Sequence, residues 1–482
     1  MPWPNKVCSR LAQTCLLARR HPGRFRSIRL RTINPPHILS VSSSTEPGPL
    51  VSNFPHRNLD VAIIGAGLAG LINLHYARTA GLDALVFDQA SAVGGLWRTL
   101  PDWQDIQICP VDWTLGDLPI AGPLRADIEA NIEQWVSRFD LADGLCLNTP
   151  VHLARHNNSL WELHTPQGIV HARHLVAATG AHNTPWIPEV NRQASRVTEL
   201  HSSALRDPSQ LRNQTVLVVG GGASAFDLLD LCLQQGAERI IWVTRGVRWF
   251  TPTSKPKAIA GSFRPLAKMQ ASGVPVDKQN VLINADLRGR YAKFGVEAVM
   301  PDRPLDVLHD QIIPGRARML AEFARLERHT GTIQAITGDQ IFLSDATTLR
   351  ADMVLWGTGY RTNLRFFEDP RISAIGSVAE LLSRCACVFR SQDAPNLYFP
   401  GVGLDGVGAT SWMFAMGAKT IMSHIRGTAQ LDMAPTPHKM NHLDLIAHLA
   451  TRDPATYPGG KGLDYYKELT LNLPDDQPFP MP

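Results

Sequence analysis

Apolar residues in this chain gather into short runs that end on glycine. Asp60 to Ile64 is one such run, and Gly65-Ala66-Gly67-Leu68-Ala69-Gly70 follows it. Apolar positions then recur at helical spacing through "LINLHYARTA", and Gly81 supplies a stop. "LDALVFD" is the next strand, ending at Asp88. This makes a strand–turn–helix–strand unit of about 30 residues, with an acid 23 residues after the first glycine. The pattern returns 155 residues later: "TVLVVG" predicts a strand from Thr215, Ala225 to Gln235 a helix, Gly236 its stop, and "ERIIWVTR" a strand ending at Arg245.

Between the two units, residues 124–140 read as a helix and Ser159 to Gly180 as a hairpin feeding a buried strand. Pro185 and Pro188 then break the chain, a natural place to cross between domains. Residues 246–330 read as irregular and Pro-rich at first, then helical around 316–328. "LVAATG" (175–180) and "MVLWGTG" (353–359) echo one another, which predicts a return to the first sheet after 350. One helix is expected near the end, over 439–450.

Charge separates the start from the rest. Net charge is +4 overall, but residues 1–57 hold nine Lys/Arg and one acid, +8, which leaves −4 for the remainder. No nucleic-acid partner is expected beyond that leader. The leader reads as a disordered extension, as residues upstream of the true start or, if it is a transit peptide, as a mitochondrial address on an otherwise cytoplasmic protein. No apolar run reaches the roughly 18–20 residues of a membrane span. The seven cysteines (8, 15, 109, 146, 232, 385 and 387) are scattered and odd in number, so neither a disulfide framework nor a metal site is expected.

The two glycine turns carry the chemistry. In the first, Gly65 permits the bend, Gly67 lets the backbone approach a pyrophosphate, and Gly70 lets helix pack on strand. Phosphates then meet the free N–H groups of the helix start, and Asp88 accepts from ribose hydroxyls. In the second, Gly220, Gly222 and Ser224 are followed by Ala225 in place of the third glycine. Its second strand ends on Arg245, with Arg248 close by, rather than on an acid. A guanidinium suits a 2′-phosphate. The pair therefore predicts FAD in the first site and NADPH in the second, with a hydride passing between them.

These motifs resemble the class B flavin-dependent monooxygenases, which include the flavin-containing monooxygenases and Baeyer–Villiger enzymes, over roughly residues 58–430. The matching pieces are the first glycine turn, "VGGLW" with Gly94, Gly95 and Trp97, "ATG" at 178–180, "GGGASAFD" at 220–227, "GTGYRTN" at 357–363 and "NLYFPG" at 396–401. The resemblance implies that Gly94–Gly95 line the flavin, that Gly359 and the "YFPG" stretch close the FAD site, and that Ser224, Arg245 and Arg206 hold NADPH. Trp97 would pack near the ring system or serve as a core aromatic. The linker fingerprint F-x-G-x-x-x-H is only half present: in "SRVTELHSSALR", His201 and Arg206 fit, while Ser195, Val197 and Leu205 replace the Phe, Gly and aromatic. "WQDIQICPVDW" lacks the Asn many relatives place after Trp97, with Gln107 as the available amide. No catalytic residue is assigned.

The fold class implied is α/β, with two Rossmann-like dinucleotide-binding domains, the second inserted into the first. The expected divisions are a disordered leader (1–57), FAD-binding parts (58–187 and 346–430) around an NADPH-binding domain (188–345), and a C-terminal extension (431–482). The implied activity inserts one oxygen atom from O₂ into a small organic substrate through a C4a-(hydro)peroxyflavin. An NADPH-dependent flavoprotein reductase of the quinone type is an alternative, and so is a redox-sensing protein that binds both nucleotides without turnover.

Overall fold

The computed structural model describes residues 58–104, 114–115, 118–180, 183–254, 269, 272, 274–307, 310, 312–386, 390–400 and 410–428. The leader, Gln107 and the helix expected at 439–450 lie outside the described residues.

The first sheet forms around β1 (Asn58–Ile64), whose Val61, Ala62 and Ile63 are fully buried. A strand covered on both faces needs an unbroken apolar run, and that is what the sequence supplies there. The turn 65–67 leads to α1 (Leu68–Thr79), and β2 (Ala84–Phe87) returns parallel to β1. Next come α2 (Arg125–Arg138), β3 (Leu145–Cys146), β4 (Leu153–Asn157), β5 (Leu160–Thr165) and β6 (Gly168–Ala177). The spatial order is β3-β2-β1-β6-β5-β4, parallel through β6 and antiparallel beyond it.

The second sheet is parallel throughout. It comprises β7 (Thr198–His201), β8 (Thr215–Val219), β9 (Arg239–Thr244), β10 (Leu326–Thr330) and β11 (Met353–Trp356), in the order β7-β11-β8-β9-β10. Between β8 and β9 runs α3 (Ala223–Gln235), which ends on Gly236 at φ +76°, a left-handed stop that favours glycine.

Three expectations change here. The strand expected from the echo at 353–359 belongs to the second sheet: Met353 pairs with Val216 and Thr198. The chain rejoins the first sheet later, where β12 (Leu397–Tyr398) pairs with β6. The stretch 246–330 is not mainly irregular, because it holds α4 (Val276–Phe294). The helix expected over 316–328 is confined to Ala317–Ala321 and a turn at Phe323–Arg325, after which the chain enters β10.

After β12, α5 (Thr410–Ile425) places Ala415, Ala418, Ile421 and Met422 in the same core as α1 residues Leu71 and Leu74. A separate core joins β8, β9 and α3 to Trp249, Phe250, Leu287 and Tyr291. A buried ion pair fixes the intervening segment to α3: Arg316 Nε donates to Asp227 Oδ1 at 2.8 Å, and both side chains are 1% exposed.

Candidate functional site

Each glycine turn lies at the C-terminal end of its central parallel strand, where α/β sheets bind ligands. Gly67 caps α1 in an extended conformation and no side chain accepts from the helix start. Gly222 caps α3 in the same way. The first N–H groups of each helix are therefore left by the local chain to other acceptors, the arrangement that suits a phosphate.

The first turn is built by close backbone approach. Gly65 has φ +106°, and a β-carbon on it would stand 2.5 Å from the Ala178 carbonyl oxygen. A β-carbon on Gly70 would fall 1.8 Å from the Gly65 carbonyl oxygen. Gly65 N–H donates to the Phe87 carbonyl at 2.8 Å, and Gly94 N–H donates to the Ala66 carbonyl at 2.9 Å. Gly95, at φ +56°, faces Gly67 so closely that a β-carbon on Gly95 would lie 2.9 Å from Gly67 Cα. No side chain stands between these two backbones, so the cradle fits a pyrophosphate beside Gly67 and Gly95.

Asp88 stands at this turn, directly after β2. Its Oδ2 accepts from the Ala66 N–H at 2.5 Å and its Oδ1 from the Ala90 N–H at 2.7 Å. The carboxylate thus braces the glycine turn. Trp97, on the short helix Leu96–Thr99, is partly buried against the first core.

The second turn repeats the device. Gly220 has φ +133°, and a β-carbon there would be 2.3 Å from the Gly357 carbonyl oxygen. Gly357 thus takes the place that Ala178 takes in the first turn. Gly220 N–H donates to the Val243 carbonyl at 3.0 Å, and Trp242 Nε1–H donates to the Gly220 carbonyl at 2.7 Å. Ser224 lies in the first turn of α3, and Ala225 is fully buried against Gly357. Arg245 is exposed immediately after β9. Arg248 donates its backbone N–H to the Gly221 carbonyl at 3.0 Å, and its Cδ and Nε pass 4.0 Å from a β-carbon built on Gly222. Arg248 therefore lies against the turn, and Arg245 is exposed just before Gly246, whose carbonyl carbon and oxygen crowd Gly221.

Two of the expected residues make protein contacts at the ends of the second sheet. Gly359, expected at the first site, follows β11 of the second sheet; its carbonyl accepts from the Trp186 N–H at 3.0 Å and from His201 Nε2 at 2.9 Å. Because a carbonyl only accepts, His201 carries its proton on Nε2, and Nδ1 accepts from the Ser203 N–H at 3.2 Å. Burial lowers the pKa of this imidazole, partly offset by the bond to Gly359. The His201 ring meets Tyr360 edge-on at 5.0 Å. Burial raises the Tyr360 pKa, while hydrogen bonds with Ser203 and Ser202 oppose the rise. Arg206, expected to hold NADPH, donates from Nη2 to the Thr99 carbonyl at 2.7 Å. Tyr360 and Trp103 lie inside motifs read from the sequence but have no role assigned there, and Trp186 is not singled out, because only the folded linkers bring the three to this junction.

Several known proteins are similar to this chain. The pyridine nucleotide-disulphide oxidoreductase family matches residues 62–274. An uncharacterized CzcO-like oxidoreductase of Geobacillus kaustophilus is 24% identical over 65% of this chain and 84% of its own. An indole-3-pyruvate monooxygenase of Oryza sativa is 27% identical over 72% of this chain and 87% of its own. Among solved structures, an oxidized steroid monooxygenase bound to NADP aligns with a TM-score of 0.58 at 18% identity, covering 86% of this chain and 98% of that one. A flavin-containing monooxygenase from Stenotrophomonas maltophilia aligns with a TM-score of 0.53 at 17% identity, covering 77% and 98%. These structures share the mixed α/β fold. Among the described residues no group of side chains is placed to hold a metal ion, and no helix is long and apolar enough to cross a membrane.

Proposed function

We propose that the chain, which is similar to class B flavin-dependent monooxygenases, is an NADPH-dependent FAD monooxygenase acting on a small organic substrate with O₂. The observation that carries the reading is the pairing of two uncapped helix starts with opposite strand ends. Asp88 follows the second strand of the first unit and braces its turn, whereas Arg245 follows the second strand of the second unit and Arg248 lies against its turn. An acid favours a free ribose, and a guanidinium favours a phosphorylated one.

In this reading the first sheet forms an FAD-binding domain. The second forms an NADPH-binding domain, inserted between β6 and β12 of the first. Gly65, Gly67, Gly70, Gly95 and Asp88 hold FAD, with Trp97 beside its ring system. Gly220, Gly222, Ser224, Ala225 and Arg245 hold NADPH, with Arg248 over the same turn. The bound flavin supplies the redox and oxygen chemistry. The protein's own part is to bring the two nucleotides together and keep water from the reacting centre. The His201–Gly359 hydrogen bond ties the end of β7 to the segment after its neighbour β11, within the second sheet.

Purified protein tests the reading. It should hold flavin, oxidise NADPH in preference to NADH, and consume O₂ with transfer of one oxygen atom to an accepted substrate. If reduced flavin passes electrons to quinones and incorporates no oxygen, the reductase alternative replaces it.

A further inference from the structure

We propose that Trp103 and Arg206 are positioning residues for hydride transfer: a reciprocal stitch that fixes the nicotinamide side against the flavin-side loop. The proposal rests on the FAD and NADPH assignment above.

Trp103 follows the short helix that begins beside Gly95. Its Nε1–H donates to the Leu205 carbonyl at 2.6 Å, and its ring is partly buried against the core of the second sheet. Arg206, the next residue after Leu205, reaches the other way and gives an Nη2–H to the Thr99 carbonyl at 2.7 Å. Thr99 ends the short helix, so the helix leaves that carbonyl without an internal donor. Two side chains thus cross the same junction in opposite directions, joining segments 102 and 107 residues apart in sequence.

The stitch is rigid on the nicotinamide side. Leu205 is fully buried, and the turn Ser202–Ala204 links it to His201, whose Nε2–H bonds the Gly359 carbonyl. A continuous set of contacts therefore runs from the Gly95 loop through Thr99, Arg206, Leu205 and His201 to the end of β11, beside the second glycine turn. Hydride transfer oxidises NADPH and reduces FAD by the same electron pair, and its rate depends on alignment at the scale of an ångström. Holding Thr99 and Leu205 in register sets that alignment.

The test uses FAD-loaded protein with Arg206→Ala, Arg206→Lys and Trp103→Phe. Anaerobic stopped-flow reduction is followed across NADPH concentrations, and amide hydrogen exchange over residues 96–104 is followed with no NADPH present. The expected result for Arg206→Ala and Trp103→Phe is a limiting reduction rate lower by about 10-fold to 100-fold. Half-saturation should change less than about threefold, and exchange at Leu100 should be faster. Arg206→Lys keeps a donor for the Thr99 carbonyl and should recover most of the rate. A preserved limiting rate with half-saturation raised about 10-fold would make Arg206 a grip on NADPH and overturn the proposal. So would variants whose rate and exchange both match the parent. If the parent protein takes up FAD that NADPH does not reduce, the functional reading fails and the proposal with it. If the parent is reduced and the variants are unaffected, the proposal alone fails.

Discussion

Gly357 and Ala225 pack backbone against backbone: a β-carbon on Gly357 would stand 2.8 Å from Ala225 Cα, 2.9 Å from its amide nitrogen and 3.0 Å from its methyl. At the first turn the sizes are exchanged, with glycine on the helix at Gly70 and alanine on the strand end at Ala178. The second turn therefore tolerates Ala225 because its strand partner is the smaller residue.

That relationship predicts an asymmetric double-mutant cycle. Gly357→Ala should destabilise the protein by about 1–3 kcal/mol, the usual range for overpacking, and should weaken NADPH binding. Ala225→Gly alone should cost about 1 kcal/mol of helix propensity. Combining them should not restore stability, because the obstructing atoms include the Ala225 backbone. Urea denaturation of the four proteins checks this. Full recovery in the double variant would show that only the methyl matters.

Arg245→Ala should lower the preference for NADPH over NADH by about 10-fold to 100-fold, the worth of one charge-assisted hydrogen bond or two. FAD content should stay unchanged. Initial rates with each nucleotide at matched flavin loading decide it. An unaltered preference would remove Arg245 from the 2′-phosphate site.

The Asp227–Arg316 pair predicts a large stability effect. Both side chains are 1% exposed, and Arg316 Nη2 is buried without a hydrogen-bond partner. Asp227→Ala leaves the guanidinium buried without its carboxylate, which should cost about 3–5 kcal/mol. Thermal and denaturant unfolding measure it. A loss below about 1 kcal/mol would mean that water or another acceptor compensates.

His174, on β6, predicts an acid-sensitive component of stability. Burial, and then the charges of His424 and Arg390, bring its pKa from 6.5 down to about 4. A group whose folded value lies below its unfolded value contributes stability that is present above the unfolded pKa. That stability is lost as pH falls toward the folded one. The window is therefore pH 6.5 to about 4, with up to about 3 kcal/mol at stake. His174→Leu should flatten the difference in unfolding free energy between neutral and acid pH. Equal pH slopes in the two proteins would contradict the assignment.

The first half of each nucleotide unit was legible because local chemistry decides it. Gly65 and Gly220 need positive φ, and the runs before them are apolar on both faces. The echo at 353–359 misled for a related reason: the same Thr-Gly ending serves both sheets. Which sheet receives the strand is settled by non-local pairing, as between Met353 and Val216. Helix α4 was hidden because only Gln279, Leu287 and Tyr291 are buried along it, so it shows no continuous apolar stripe. The site followed the same divide. The glycines, Asp88 and Arg245 carry turn and charge signals in sequence, whereas the Trp103–Leu205 contact joins residues with no local pattern in common.

Anaerobic addition of NADPH to the purified flavin-loaded protein tests the central claim, two complementary nucleotide sites in one chain, most directly. The account predicts that one equivalent of NADPH bleaches one equivalent of oxidised flavin, and that NADH does so far more slowly. A protein that holds no flavin, or whose flavin NADPH leaves oxidised, would contradict it.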